Sequence, residues 1–219
     1  MAGLITQKKE EKKKKILDAA YELFTTKSVS NTSISMICEK AGIAKGTFYL
    51  YFHDKEDVLR NLVKKMSFDI LKEAHDISLK ENNGFIGTVI SMANYLIEFF
   101  KNDKDTLLVI KKDFIWPISE EEFETTDDPT MSKIREAINI YSKEIGISNH
   151  KILLRLYALL SMLYSVCYSS IIDGFPSDID NLKDEIFEII RRTLSGEWFY
   201  INNIIIEYKI NKTKAIITV

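Results

Sequence analysis

Apolar residues at Ile16, Ala19, Ala20, Leu23 and Phe24 recur at the three- and four-residue spacing of one helix face and predict an amphipathic helix over about residues 10–26. Ser28 to Ser33 is a polar turn. Beyond it Ile34, Ile37 and Cys38 mark a short second helix that Thr32 or Ser33 can cap. Ala41-Gly42-Ile43 interrupts that helix, because a glycine there accepts the left-handed turn that closes one helix and swings the chain into the next. The following helix, over about 44–51, places Phe48 and Phe52 on one side and Lys45, Thr47, Tyr49 and Tyr51 largely on the other. So short a helix must be held by its neighbours.

A long helix then runs over 55–79 with Val58, Leu59, Leu62, Val63, Met66, Ile70 and Leu71 as its apolar face. Further helical patterns span about 85–101, 104–112, 129–144 with Pro129 in the first turn, 150–172, and 179–194 stopped by Gly196. Residues 113–128, with Trp116-Pro117 and acids at 120, 121, 122 and 124, read as an irregular connection. The tail over 198–219 breaks the pattern: Ile204, Ile205, Ile206, Tyr208, Ile210, Ile216, Ile217 and Val219 are β-prone, with asparagines at candidate turns. It reads as a small hairpin packed on the body or across a dimer, with helical continuation and disorder as the open alternatives. The presence of only 8 Gly and 3 Pro in 219 residues favours long helices. The expectation is an all-α chain: a three-helix helix-turn-helix domain over 1–54, a helical domain over 55–197, and the β-like tail.

The net charge of −2 hides an asymmetry, since residues 1–60 carry +3 and residues 61–219 carry −5. A basic front end on a body of the opposite sign suits a polyanion partner. Lys12 to Lys15 are either a solvated helix start or an arm that reaches phosphates. Cys38 and Cys167 lie far apart in apolar helical surroundings, which argues against a disulfide framework. His53, His75 and His150 do not stand at metal spacing with either cysteine, and no phosphate loop, nucleophile elbow or dinucleotide fingerprint occurs. No enzyme, cofactor or metal is therefore expected. The N-terminus lacks the apolar stretch of a secretory signal, so the cytoplasm is expected. Residues 152–172 are long enough to span a membrane, but Arg155, Ser161, Ser165, Ser169 and Ser170 make a poor lipid span. Burial between subunits is the better reading, with no membrane partner.

A helix, a glycine turn and a second short helix are the requirements of a helix-turn-helix, in which one helix braces on the DNA backbone and the next enters the major groove. The string Leu23-Phe24, Thr32-Ser33-Ile34, Ile37, Ala41-Gly42-Ile43, Lys45-Gly46-Thr47-Phe48-Tyr49, Tyr51-Phe52, Lys55-Glu56 and Leu59 closely resembles the DNA-binding domain of TetR-family regulators. The resemblance covers about residues 16–59. It implies an all-α homodimer that binds a double-stranded operator and carries a small-molecule effector pocket in its second domain. The helices over 150–172 and 179–194 would form the interface with the twin chain. It also makes Lys45, Gly46, Thr47, Tyr49 and Tyr51 the groove-facing residues, with Thr32, Ser33, Ser35 and Lys55 at the DNA backbone. Ser28 stands where the family commonly has Gly, Cys38 where Ala is common, and Ala44 where a Ser usually caps the recognition helix.

In the body, Met92, Tyr95, Phe99, Phe114, Trp116, Tyr141, Tyr157 and Met162 are candidates to line an effector pocket, although each also suits an ordinary core. His75 reads as a satisfied or exposed residue. The implied function is a DNA-binding transcriptional regulator, a repressor released by its effector. The competing reading is a helical dimeric scaffold that has lost DNA binding.

Overall fold

The computed structural model describes residues 2–81, 83–110 and 120–195, and every regular element among them is helical. Ten α-helices follow one another: α1 Ala2–Lys27, α2 Ile34–Ala41, α3 Lys45–Phe48, α4 Lys55–Ser78, α5 Gly84–Asn102, α6 Lys104–Ile110, α7 Glu120–Thr125, α8 Pro129–Ile145, α9 Asn149–Ile171 and α10 Lys183–Ser195. Several begin on a side-chain cap. Ser33 accepts from Met36 N at 3.3 Å, Asp54 from Asp57 N at 2.6 Å, and Asp128 from Thr130 N at 2.8 Å in front of Pro129. Gly42, at φ +65°, closes α2 in the left-handed conformation expected of it.

Two cores organise the described chain. The N-terminal one gathers Ile16, Ala20 and Phe24 of α1, Ile37 of α2, Phe48 and Phe52 around α3, and Val58 and Leu62 of α4. Val109 of α6 completes it, so the body reaches into the front bundle. The larger core packs α4 and α5 with α9 and α10 through Leu71, Ile97, Phe100, Leu163, Cys167 and Ile190. A smaller cluster under α8 holds Phe123, Met131, Ile138, Tyr141 and Ile152.

Three boundaries differ from the sequence expectation. Helix α1 starts at Ala2, ahead of the apolar stripe, because its Lys/Glu-rich start is made of good helix formers. Helix α3 ends at Phe48, and residues 49–51 continue as turns that bring Phe52 back onto the core. The connection read as irregular contains α7, which exists to bury Phe123. The Arg135 guanidinium lies 5.9 Å from the Phe123 ring and donates to Thr126 O at 2.9 Å, pinning that short helix to α8. Phe114, Trp116 and the β-prone tail over 198–219 lie outside the described residues.

Candidate nucleic-acid interface and internal cavity

Helix α3 is four residues long and stands on a pedestal of aromatic side chains. Phe48 and Phe52 are fully buried, with ring centroids 5.9 Å apart, and Lys13 of α1 lies over the Phe52 ring at 6.0 Å. That contact takes one of the four N-terminal lysines out of a purely solvated role. On the other side of α3, Lys45 and Gly46 are exposed, Thr47 is half-buried, and Tyr49 is 51% exposed with its ring edge-on to Phe48 at 5.4 Å. Tyr49 is thus not a core residue. Gly46 has nothing within 4 Å of the place a Cβ would occupy, so a backbone or phosphate can approach there closely. Tyr51 is half-buried at the edge of this face.

Leu50, 78% exposed beside Tyr49, was not singled out by the sequence pattern. Its place out of helical register with the buried Phe48 and Phe52 is the signal that marks it as a surface residue.

The residues assigned to the DNA backbone divide. Ser33 and Ser35 are exposed at the start of α2, with the Ser33 hydroxyl engaged as the cap. Thr32, by contrast, is buried, and its hydroxyl donates to Ser28 O at 2.8 Å. Lys55 donates from Nζ to Val29 O at 2.7 Å and to Thr32 O at 3.0 Å. Thr32 ties the loop between α1 and α2 to the end of α1, and Lys55 holds that loop against the start of α4. Ala44 precedes α3 without a side-chain cap, as the alanine requires.

Ser28 explains why a glycine is common at its position, for it ends α1 at φ +70°. Cys38 is buried, and burial pushes its thiol above the ordinary range while the Lys45 charge opposes the shift.

The body contains a cavity of about 460 Å³ bounded by α4, α5, α8, α9 and α10. Leu71, Leu96, Leu159, Leu163 and Ile190 form its buried end, and Gly84, Leu79, Ile140 and Glu144 surround its exposed mouth. Of the pocket candidates, Met92 and Tyr141 line it. Phe85 stacks on Tyr141 with centroids 4.3 Å apart, closing one wall. Tyr95, Phe99 and Met162 pack instead against the main core, and Tyr157 is 47% exposed on α9. Their helical phase turns them away from the cavity. Three polar side chains besides Glu144 reach the wall. Thr88 donates its hydroxyl to Gly84 O at 2.9 Å, and Tyr141 donates to Leu194 O at 3.1 Å. His75 is 4% exposed and its Nδ1 has no hydrogen-bond partner. The nearest candidate, Asp76 Oδ1, stands off at 3.6 Å. Burial lowers the histidine's proton affinity, and Lys133 adds to this against the opposing Asp76 carboxylate, so the ring is neutral at neutral pH. His75 is thus neither exposed nor fully satisfied, contrary to the sequence expectation, which fails because nothing in the periodicity of α4 distinguishes a buried wall residue from a surface one.

Comparison with known proteins adds four likenesses. Residues 16–62 match the family described as bacterial regulatory proteins, tetR family. The HTH-type transcriptional regulator YvdT of Bacillus subtilis is 26% identical over 191 residues, spanning 84% of this chain and 95% of that protein. The fatty acid metabolism regulator protein of the same species is 40% identical over 75 residues, 34% of this chain and 39% of that relative. Among solved structures, transcriptional regulator FadR from Bacillus subtilis in complex with stearoyl-CoA aligns with a TM-score of 0.52 at 18% identity, over 80% of this chain and 96% of that one. The last likeness concerns the fold alone.

Proposed function

Because the chain belongs to the TetR family of DNA-binding transcriptional regulators, we propose that it is a homodimeric repressor that leaves its operator when a small molecule fills the cavity of its body. The observation that carries this reading is the continuity of α4. Its first turns pack Val58 and Leu62 into the front core, and its last turns put Leu71 and His75 into the cavity wall. With 24 residues it reaches about 36 Å at 1.5 Å per residue. A ligand that pushes α4 away from α8 tilts this rod. The two recognition helices of a dimer then depart from the separation of one duplex turn, roughly 34 Å, and the operator is released.

In this reading Lys45, Gly46, Thr47 and Tyr49 face the major groove, with Tyr51 and Leu50 at its edge and Ser33 and Ser35 at phosphates. Thr32 and Lys55 position the domain and reach the DNA only through the loop they hold. The twin chain covers the exposed Leu154 and Tyr157 of α9 and Ile189 of α10. Helix α9 is long and apolar enough to cross a membrane, yet only 33% of its most apolar window is buried within one chain, which suits a partner helix. The stearoyl-CoA of the structural neighbour gives a precedent for a ligand with a long apolar chain. The regulator works in the cytoplasm, where the operator lies.

A mobility shift on the DNA flanking its own gene, repeated across salt concentrations, tests the core of this reading. Binding that weakens steeply with salt is expected. An intact dimer that shifts no DNA at low salt leaves the scaffold reading in its place. Tyr157→Glu should give monomers in sedimentation. An effector that tightens operator binding would make the protein a corepressor-dependent regulator.

A further inference from the structure

The cavity's chemistry narrows what it accepts, on the premise that it is the effector site. Among the described residues, its wall holds one buried side chain with an unpaired polar atom. Thr88 and Tyr141 spend their hydroxyl protons on Gly84 O and Leu194 O and are left as acceptors only, and Glu144 sits exposed at the mouth. That leaves the imidazole of His75, a residue 4% exposed on the cavity wall, whose Nδ1 stands 3.6 Å from Asp76 Oδ1 without a hydrogen bond. Buried polar groups in folded proteins are almost always paired, so an orphan on a cavity wall marks where a ligand supplies the partner. Among the described residues no lysine or arginine lines the cavity, and the carboxylate at its mouth repels an anion.

We propose that the cavity selects an uncharged amphiphile, with its apolar body against Leu96, Leu159 and Leu163 and a single hydroxyl or carbonyl paired with the His75 imidazole. A volume of about 460 Å³ holds a chain or ring system of ordinary effector size, within the range of roughly 300–1,000 Å³ for small-molecule sites. The neutrality of the histidine fits an uncharged head, since a neutral imidazole donates or accepts one hydrogen bond but does not balance a charge. A carboxylate at the same place would lose its hydration without gaining a counter-ion. A quaternary ammonium head would leave His75 unpaired, having neither an N–H to give nor a lone pair to offer. The closed end beyond His75 is lined by leucines, so the polar group must lie near one end of the ligand's path, with the apolar remainder inside.

Calorimetric titration of the full-length protein without DNA, at neutral pH, with dodecanol, dodecanoate and dodecyltrimethylammonium tests the assignment directly. Dodecanol is expected to bind at least about tenfold more tightly than either charged probe. His75→Leu should weaken dodecanol about tenfold, and His75→Gln, which keeps a hydrogen-bonding group, should retain most of the affinity. Tighter binding of the anion or the cation overturns the head-group assignment and leaves the effector reading of the cavity intact. Unchanged dodecanol binding by a folded His75→Leu variant overturns the role of His75. Should that variant not fold, the probe ranking on the native protein together with His75→Gln decides. Binding of none of the three overturns both this assignment and the effector reading beneath it.

Discussion

The hydroxyl of Tyr21 on α1 lies 3.0 Å from Oγ1 of Thr106 on α6, joining the front bundle to the body across 85 residues of sequence. The direction of that bond follows from a second one. Thr106 donates its only hydroxyl proton to Asp103 Oδ2 at 2.7 Å, so Tyr21 is the donor and Thr106 the acceptor. Next to it, Val109 enters the front core. Among the described residues, the front bundle is attached to the body by α4 through its own length and by α6 through this bond and this side chain.

Tyr21→Phe removes the bond and keeps the ring. A loss of about 1 kcal/mol in urea unfolding is expected. Operator affinity in the absence of ligand should change little, because Tyr21 lies on the bundle's inner side, away from α3. A stability unchanged within error would show that α6 is held to α1 by packing alone.

Lys45→Ala and Tyr49→Ala should each weaken specific operator binding without disturbing the dimer. Both side chains are exposed, so stability should stay within about 0.5 kcal/mol of the native protein. Mobility shifts at several salt concentrations separate the two roles. Losing Lys45 should reduce the salt slope by about 2, one for each protomer of the dimer, whereas losing Tyr49 should leave the slope and lower affinity for the operator more than for random DNA. A variant that binds its operator unchanged would remove that residue from the interface.

Ser28→Gly should stabilise the protein. A left-handed backbone costs an ordinary residue roughly 1–2 kcal/mol. Glycine gives part of that back as unfolded-state entropy, and the 3.0 Å contact between the Ser28 and Ser30 hydroxyls is lost. A net gain of about 0.5–1 kcal/mol in chemical denaturation is the expected balance. Destabilisation would mean that the serine contact outweighs the backbone strain.

His75 should make stability depend on pH in one window. In the unfolded chain it titrates near 6.5, and in the fold burial sets its value lower. Above 6.5 neither state holds the proton and the contribution is complete. As pH falls below that point the unfolded chain gains a proton the folded chain refuses, so stability declines until the folded value is passed. His75→Gln should therefore lose less stability than the native protein between about pH 7 and pH 5, measured by urea midpoints. The same slope in both proteins would assign the loss to the carboxylates.

Much of this architecture is legible along the chain because it rests on local signals. The stripe from Ile16 to Phe24, the capping Ser33, the left-handed Gly42 and the Pro129 start are each written within a few residues of the structure they produce. Other features come from side chains meeting over long separations. Thr32 and Lys55 turn inward because carbonyls of the α1–α2 loop accept from them, which no spacing discloses. Tyr157 carries the same aromatic signal as Tyr141, yet one is exposed on α9 and the other walls the cavity, since helical phase relative to a distant neighbour decides the outcome. The six-residue α7 is too short for its periodicity to register.

The brevity of α3 has a thermodynamic corollary. Four residues are far below the length at which a helix sustains itself in water, so its shape exists only while Phe48 and Phe52 stay seated in the front core. Operator DNA that grips this surface binds only the folded bundle and so acts by mass action as a folding ligand for it. The melting temperature of the bundle should rise with operator concentration, which makes the occupied regulator the more heat-resistant form.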